Sequence, residues 1–387
     1  MYDKVLITYG WNRVAYIVNR SLSEKGIKTF VGDIHKITMN SFSKFTFKFF
    51  QYPNFYLYPK KFIDFIISFC KKEEISIVIP IHEESFLFSK YKKVFERYNI
   101  KFLLPDFNVM KLAHKKNEST ELATKLGIPT PETIFPKTLE DMIYFFKFFK
   151  GEIVVKFLNT NSSKGVFFPK SEKELLKFEK FLGNFILQER VAGTGYGVSM
   201  LFNNGNLRAK FTHRRLQEKF STGGTSVLRE STENPLLEEY AYKLLKHLKW
   251  NGVAMVEFKY DEKQKKAWFI EINPRFWGSL ALPYVAGVDF PYLVYKILKY
   301  GDVEPVFHYK KGVKVKWLLG GIISFISNLL KGNLNISYIY SKADAYDDFW
   351  KDDKYTFIGE LLYYGLKFFR TLSINPTQEA LLNIDEL

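Results

Sequence analysis

One segment, Gly252–Gly278, carries two acidic residues that restrict how the chain can fold. Its pattern predicts a β-hairpin, with strands at Val253–Tyr260 and Ala267–Asn273 joined by a charged turn. A turn centred between these strands places Glu257 directly opposite Glu271. Two carboxylates facing each other across a strand pair repel and destabilise it, so we predict a cation between them.

The residues that follow favour Mg²⁺ as this cation. Because side chains alternate along a strand, Asn273 shares a face with Glu271. Two carboxylates and a carboxamide oxygen are hard ligands, which Mg²⁺ accepts when it also holds substrate phosphates. The alternative is a solvated hairpin with charges on its exposed face. Pro274, Arg275 and two aromatic residues follow where a solvated strand would end, which favours the metal site.

The net charge of +16 and the pI near 9.4 raise three classes of partner: nucleic acid, an anionic membrane and phosphate-bearing substrates. The excess of Lys and Arg is spread thinly, and the sequence shows no pattern of an RNA-binding module or zinc finger. Abundant Lys, Phe, Tyr, Ile and Asn are typical of an AT-rich genome. We therefore expect no nucleic-acid partner.

The single cysteine, Cys70, excludes a disulfide within the chain and fits a reducing compartment. The first residues, MYDKVLITYGWNR, enter a strand at once and show no signal-peptide pattern. We therefore expect a cytoplasmic protein.

The N-terminal hundred residues predict a parallel α/β domain, with strands at Lys4–Thr8, Lys28–Val31 and Ile75–Ile81 separated by helices. The G-x-G-x-x-G fingerprint is missing, so a nicotinamide cofactor is not expected. Ligands gather at the carboxyl ends of parallel strands, which suggests a substrate pocket there. The candidate pocket residues are Trp11, His82 and Glu83, although Glu83 and Glu84 are as easily explained as the start of a helix.

Further along, a helix is predicted at Asn108–Leu126 and a strand with one lysine, Lys156, at Gly151–Leu158. A strand at Phe185–Val191 precedes a glycine-rich segment, Gly193–Gly197, which we expect to be flexible. Two strands joined by an Asn-Asn-Gly-Asn turn follow, and then an amphipathic helix leads into the hairpin. A lysine before a helix, a strand lysine with a polar loop, a further strand and E…E-x-N-P-R therefore occur in this order.

In this order and spacing, residues 105–300 resemble the ATP-grasp superfamily, specifically its carboxylate–amine ligases. The resemblance implies an α/β (α+β grasp) class, with an N-terminal parallel α/β domain followed by a two-subdomain ATP-grasp fold with antiparallel sheets. We expect the first domain at 1–105, the lid subdomain at 106–192, the catalytic subdomain at 193–304 and a C-terminal extension at 305–387.

The resemblance implies which residues bind ATP. Lys116, with Lys115 as the adjacent alternative, and Lys156 match the two phosphate-contacting lysines. The polar loop at Asn159–Gly165 matches the loop that closes over the phosphates, where backbone N–H groups can hold an anion. Its candidate ligands are Ser162, Ser163 and Gly165. The residues matching the adenine hinge are Gln188, Glu189 and Val191.

The resemblance also implies the metal ligands and the catalytic residues. Glu257, Glu271 and Asn273 match ligands of Mg²⁺, for which Mn²⁺ is an alternative. Arg275 matches the arginine that steadies the transferring phosphoryl group. Arg214 and Arg215, together with His213, follow a predicted strand and are candidates for gripping the acceptor acid. A basic surface edge is the alternative for these three residues.

The activity implied is an ATP-dependent ligase that joins a small-molecule carboxylate to an amine through an acyl phosphate and releases ADP and phosphate. A kinase-like or carboxylase-like enzyme with another acceptor is the alternative, as is a nucleotide-binding regulator without turnover. The substrates are not readable from the sequence.

The C-terminal part falls outside the general pattern. Two acidic pairs, Asp347-Asp348 and Asp352-Asp353, are expected to form a solvated loop. Lys310–Lys316 with the apolar run Trp317–Leu330, and later Phe357–Phe369, pair basic with apolar residues. A weak membrane-surface contact is one reading. Core helices and a homodimer face are favoured over it.

Overall fold

The computed structural model describes residues 3–158, 165–218, 226–330, 332, 334–371, 382, 384 and 387. Within them the N-terminal part forms a parallel sheet with strand order β3-β2-β1-β4, flanked by helices. The predicted strands are confirmed. The elements are β1 (Lys4–Ile7), α1 (Arg13–Ser23), β2 (Lys28–Asp33), β3 (Lys48–Gln51), α2 (Pro59–Glu73), β4 (Ile77–Ile79), α3 (Glu84–Lys90) and α4 (Lys92–Glu96).

The second part carries an antiparallel sheet with strand order β5-β8-β6-β7. The helix predicted at Asn108–Leu126 is divided in two, because Lys115 has an extended backbone and ends the first helix. The elements are α5 (Phe107–His114), α6 (Lys116–Lys125), β5 (Thr133–Ile134), α7 (Leu139–Phe148), β6 (Ile153–Phe157), β7 (Val166–Phe167), α8 (Glu172–Leu175) and β8 (Phe185–Glu189).

The third and fourth parts share one sheet with strand order β13-β12-β9-β10-β11-β14-β15. The third part contains β9 (Thr194–Asn203), β10 (Asn206–Glu218), β11 (Ser226–Thr232), α9 (Pro235–His247), β12 (Gly252–Asp261), β13 (Lys266–Asn273), α10 (Ala281–Ala286) and α11 (Phe290–Tyr300). The fourth contains β14 (Lys314–Lys316), α12 (Leu318–Leu329), α13 (Ser337–Tyr340), β15 (Ala345–Tyr346) and α14 (Tyr355–Thr371). The C-terminal region thus extends the central sheet.

The two faces of this central sheet have different partners. One face places Val198, Val256 and Ile272 in a core with α9. The opposite face places Leu201 and Phe211 in the core of the N-terminal domain. This second face carries the predicted hairpin carboxylate Glu257, because Glu257 alternates with Val256 along the strand.

The acidic pairs of the C-terminal region are not a solvated loop, and that expectation is wrong. Asp347, Asp348 and Asp353 are buried. Asp347 makes a bidentate ion pair with the buried Arg229 of β11 and lies 3.4 Å from the guanidinium of Arg13. A carboxylate tolerates such burial when it is paired, so the pair ties the C-terminal region to the sheet.

Asp348 also holds the C-terminal region in place. The carboxylate of Asp348 accepts hydrogen bonds from the backbone N–H groups of Leu318 and Leu319 at the start of α12. Burial raises the pKa of Asp348 to about 6, and these two hydrogen bonds oppose the rise. Among the described residues, no helix is long and apolar enough to cross a membrane.

We predict that Asp347→Asn lowers the free energy of unfolding by about 3–5 kcal/mol, because it leaves the Arg229 charge buried without its partner. Urea unfolding followed by circular dichroism measures the change. The control is Asp352→Asn, which breaks a pair between Arg20 and a half-exposed carboxylate and should cost about 1 kcal/mol or less. Equal losses in the two variants would contradict the assignment.

Candidate active site

The hairpin carboxylates face each other as predicted, and a β-bulge brings this about. Near the turn, Asp261 pairs with Lys266 and Tyr260 with Ala267, a register that would set Glu257 opposite Ile270. An irregularity between Glu257 and Phe258 shifts the pairing by one residue, so that Glu257 lies opposite Glu271. Bulges of this kind re-aim side chains beside active sites.

Without the bulge, strict alternation from the core residues Ala267 and Phe269 would turn Glu271 towards the apolar core. With it, Ile272 fills the core instead. Asn273 donates a hydrogen bond from Nδ2 to Oε1 of Glu257 over 3.1 Å. The three predicted metal ligands therefore stand together on one face of the sheet.

Two glycines of β9 lie beside these ligands, at positions where a larger residue would collide with neighbouring side chains. Gly197 pairs with Glu257 on one side and with His213 on the other, and a β-carbon there would overlap the imidazole ring. At Gly195 a β-carbon would stand 2.9 Å from Cδ of Arg215. The expectation that this segment is flexible is wrong, because Thr194–Gly197 is paired within β9. Gly195 and Gly197 instead make room for the side chains of Arg215 and His213.

Arg215 is the cation nearest to the paired carboxylates. Its guanidinium donates to Oε2 of Glu257 and to Glu218 on its own strand. Burial would lower the pKa of Arg215, but attraction to Glu257 and Glu218 outweighs this and raises it. Arg215 therefore remains protonated and holds one of the two opposed carboxylates.

Two lysines from other elements approach the second carboxylate. Lys156 on β6 and Lys116 at the start of α6 both lie close enough to Glu271 to be attracted by its charge. Burial lowers the pKa of Lys156 to about 8, with Glu271 opposing the shift and Lys116 adding to it. Burial likewise lowers the pKa of Lys116. The break at Lys115 starts the helix that carries Lys116 to this position.

The charge balance of the site suits an anion held with a cation. Burial raises the pKa of Glu257, Arg215 opposes the rise, and Glu271 adds to it by repulsion. Glu257 would therefore ionise more easily beside a divalent cation. Among the described residues, no group of three or more His, Cys, Asp or Glu could hold a metal ion. A metal here would take its other ligands from a carboxamide and from a bound substrate.

Arg214 lies away from these groups, although Arg215 is its neighbour. The side chain of Arg214 bonds Glu230 on β11 at 2.8 Å and Glu262 in the hairpin turn at 3.3 Å. Because the residues lie inside β10 rather than after its end, alternation sends Arg214 to the opposite face. The structure thus brings Arg215 to the carboxylates and leaves Arg214 outside.

His213 is buried. It pairs with Gly197 across β10 and β9, and Gly197 pairs in turn with Glu257 on β12. Its Nε2 is 3.4 Å from Oγ of Ser279, and its Nδ1 has no partner among the described residues. Burial lowers the pKa of His213 to about 3, and the charges of Arg215 and Arg229 add to the shift. The imidazole is therefore neutral, with one unpartnered nitrogen.

The residues predicted to bind the nucleotide occupy β8 and its surroundings. The side chain of Gln188 accepts from Lys156 and donates to Thr133, so it acts within the sheet. Glu189 is half-buried, and its Oε2 accepts from the backbone N–H of Glu132. Val191 is half-buried after the strand, and Gly165 has the positive φ of 69°. Ser162 and Ser163 lie outside the described residues.

Arg275 stands two residues beyond Asn273, at the edge of the candidate site. It is half-buried and donates to the backbone carbonyl of Phe276 at 3.0 Å. Among the described residues, its other N–H groups have no hydrogen-bond partner. Trp277, which follows Phe276, is buried. Its indole N–H has no hydrogen-bond partner among the described residues.

Arg229 and Arg13 were not foreseen from the sequence. Arg229 pairs with Arg215 across β10 and β11, and Arg13 donates to the carbonyl of Gly278 at 3.3 Å. Both guanidinium groups are held by Asp347, so they border the site as fixed charges. Alternation of side chains along β11 is the sequence feature that could have placed Arg229 on the face of Arg215. No neighbouring residues in the sequence indicate that Arg13 or Asp347 lies near the site.

The pocket predicted in the N-terminal domain is largely filled by side chains. The ring of Trp11 stacks on Tyr363 of α14 at 4.9 Å, and His82 stacks on Tyr9 at 4.6 Å. Glu83 is buried, and α3 begins at Glu84. A small cleft beside Asp33 remains, bordered by Tyr9 and Trp11.

The region that contains the hairpin is similar to a known protein family. A family model described as "ATP-grasp in the biosynthetic pathway with Ter operon" matches residues 182–320, which include the hairpin. Over these residues the chain is similar to the ATP-grasp family. The large chain of carbamoyl phosphate synthase from Thermoanaerobacter pseudethanolicus is 22% identical over 209 residues. That alignment covers 50% of this chain and 19% of the relative, so the chain spans about a fifth of the length of the curated relatives it matches.

Solved ATP-grasp structures share the fold of this chain. N5-carboxyaminoimidazole synthetase from Staphylococcus aureus has a TM-score of 0.64 at 15% identity, covering 86% of this chain and 87% of that chain. L-amino acid ligase from Bacillus licheniformis has 0.60 at 16%, covering 78% and 75%. The biotin carboxylase domain of Hydrogenobacter thermophilus 2-oxoglutarate carboxylase, solved with MgADP and bicarbonate, has 0.63 at 17%, covering 81% and 73%. The mixed α/β class predicted from the sequence is thus confirmed.

We predict that the Nζ group of Lys156 titrates near pH 8 and not near its usual value of 10.5. Glu271→Gln should lower this midpoint further, because the negative charge of Glu271 favours the protonated amine. Nuclear magnetic resonance of the labelled lysine side chain measures it. Glu262→Gln, which changes a carboxylate on the other side of the sheet, should leave the midpoint unchanged. A midpoint near the usual value would contradict the burial of Lys156.

Proposed function

We propose that this ATP-grasp protein is an ATP- and Mg²⁺-dependent ligase that joins a carboxylate to an amine. One observation carries the proposal. The opposed Glu257 and Glu271 have three cationic residues nearby, Lys116, Lys156 and Arg215, which come from three different elements. Opposed acids with basic groups around them suit a triphosphate bound through a metal ion.

The donor set fits Mg²⁺, with Mn²⁺ as an alternative. Glu257, Glu271 and Asn273 supply two carboxylates and a carboxamide oxygen, although rotation of the Asn273 amide is needed to offer its oxygen. A bound Mg²⁺ would neutralise negative charge developing on the phosphates. The MgADP bound by the Hydrogenobacter domain supports this assignment.

Each cationic residue has a separate task in the proposed reaction. Lys116 and Lys156 bind phosphate oxygens, and binding an anion favours their protonated form despite their lowered pKa values. The planar guanidinium of Arg275 grips the transferring group through two hydrogen bonds. Arg215 keeps Glu257 in place and presents positive charge to the acceptor acid.

The chemistry proceeds in two transfers. An oxygen of the acceptor carboxylate attacks the terminal phosphorus of ATP, and the bond to the bridging oxygen breaks as ADP leaves. The amine nitrogen then attacks the acyl carbon, phosphate departs with the bond electrons, and the nitrogen loses a proton. Water must be excluded because it hydrolyses the acyl phosphate. The role predicted for Ser162, Ser163 and Gly165 is this enclosure.

The acceptor acid is proposed to bind near His213 and Arg215. The glycines at 195 and 197 make room for the side chains of Arg215 and His213, and the unpartnered Nδ1 of His213 can bond an uncharged group. Arg229 adds a fixed positive charge one strand away. Arg214 has no part in this binding, because it faces the other side of the sheet.

A carboxylase-like reaction is the second candidate, favoured by the similarity to the biotin carboxylase domain that was solved with bicarbonate. Bicarbonate-dependent release of ADP without an added organic acid would favour it. A stable phosphorylated product would indicate a kinase, and binding of ATP without turnover would indicate a regulator. Mass spectrometry of metabolites consumed from a cell extract with ATP separates these outcomes from amide formation.

A homodimer is also proposed, and it is supported by the dimeric state given for the Hydrogenobacter domain. Analytical ultracentrifugation of the full chain tests it.

We predict that Glu271→Gln reduces ATP-dependent phosphate release by about 100-fold or more, since it removes a charged metal ligand. Phosphate release with mixtures of acids and amines measures the rate, and calorimetry with MgATP measures binding. Glu262→Gln is the matched control, because it changes a carboxylate of the same hairpin outside the site. Unchanged release in Glu271→Gln would refute the metal assignment.

The adjacent arginines provide a second test. Arg215→Gln should abolish most activity, because it leaves Glu257 half-buried without its cation and removes a charge from the site. Arg214→Gln should retain activity within about threefold, since it breaks only contacts at the other face. Steady-state kinetics of both variants, with thermal unfolding as the check on folding, gives the comparison. Equal losses would argue against the proposed location of the acceptor.

A further inference from the structure

Helix α14 exposes an apolar surface where a solvent-facing helix normally exposes charges. Its exposed positions before Arg370 include Ile358, Leu361, Leu362, Leu366, Phe368 and Phe369. Leu362 is 43% exposed and Phe369 is 78% exposed. These six residues, called here the α14 stripe, lie along one side of the helix at helical spacing. Contiguous apolar surface of this kind marks an interaction site.

The opposite side of α14 is fixed against the body of the protein. A β-carbon on Gly359 would stand 2.6 Å from the carbonyl oxygen of Thr38, so the helix packs with its backbone close to this segment. Glu360 is buried beside the indole of Trp317, and Tyr363 stacks on Trp11. The helix cannot rotate to bury its stripe without exposing these groups.

A basic cleft adjoins the α14 stripe near the end of the helix. Its volume is about 160 Å³. One wall is formed by residues 35–37, including the exposed Lys36, and the other by Leu366, Lys367 and Arg370 of α14. The cleft therefore joins cationic side chains to the apolar residue Leu366. That combination fits an anionic head group attached to an apolar chain.

The charges of the C-terminal region reinforce this character. The carboxylates of Asp347, Asp348, Asp353 and Glu360 are buried, so they offer no negative surface. The lysines at 351 and 354 are exposed just before α14. Counted along the sequence, basic and acidic residues of the region nearly balance. Because several of the acidic residues are buried, the described part of its surface is basic.

We propose that the α14 stripe and the basic cleft form a docking site for an anionic phospholipid surface. The apolar residues enter the boundary between head groups and acyl chains, and Lys36, Lys367 and Arg370 contact lipid phosphates. A second copy of the chain is the less suitable occupant. A two-fold contact sets the same surface of each subunit against the other, so the two basic rims would repel.

The test uses the full chain with vesicles of phosphatidylglycerol and phosphatidylcholine in equal parts, compared with phosphatidylcholine alone. Co-sedimentation should show binding to the anionic vesicles that weakens as salt is added. Leu362→Glu/Phe369→Glu should lose this binding, and Leu362→Ser/Phe369→Ser should weaken it. Phe148→Glu is the matched control, because Phe148 is 66% exposed on α7, distant in sequence from the stripe.

The basic cleft is tested separately with Lys36→Gln and Arg370→Gln. Each should weaken vesicle binding about fivefold, the factor that corresponds to about 1 kcal/mol for a basic residue at an anionic surface. Circular dichroism and ATP-dependent phosphate release should match the unaltered protein, since both residues are exposed and lie outside the active site.

Three results would overturn the proposal. The first is failure of the unaltered chain to bind anionic vesicles. The second is a concentration-dependent dimer that Leu362→Glu/Phe369→Glu abolishes while vesicle binding is absent, which would make the stripe a subunit interface. The third is loss of binding in the cleft variants only, with the stripe variants unaffected and inorganic phosphate competing with the vesicles. That pattern would indicate a site for free phosphate.

Discussion

The repulsion between Glu257 and Glu271 is the constraint on which the candidate active site depends. Two carboxylates at directly opposite positions of a strand pair destabilise it unless positive charge compensates them. The protein supplies this charge from three elements: Arg215 from β10, Lys156 from β6 and Lys116 from α6. None of these elements belongs to the hairpin, so the charges are compensated only when α6, β6 and β10 are assembled around it.

One face of the central sheet carries both an apolar core and the charged residues of the candidate site. At one end it is covered by the N-terminal domain, where Leu201 and Phe211 are buried. At the other end Gly195 and Gly197 make room for Arg215 and His213, and charged side chains replace apolar ones. The apolar end packs against the N-terminal domain, and the charged end holds the residues of the candidate site. Asp347 fastens this arrangement from the C-terminal side by holding Arg229 and Arg13.

The C-terminal region therefore has two roles that differ in physical character. Its acidic residues are drawn inward, where they pair with arginines and accept backbone hydrogen bonds. Its apolar residues on α14 are left outward, because the inner side of that helix is occupied by Gly359, Glu360 and Tyr363. This is the reverse of an ordinary surface helix, which buries its apolar residues and exposes its charged ones.

The sequence alone determined the hairpin, its two carboxylates, the strand lysine and the order of elements, because these depend on local patterning and short spacings. It could not determine that a bulge turns Glu271 away from the core, since alternation from Phe269 predicts the opposite. Nor could it separate Arg214 from Arg215, whose faces depend on how far β10 extends. The burial of Asp347 was decided by partners more than a hundred residues away, which no local pattern records. Tertiary structure decided these points because register, burial and charge compensation are set by distant segments.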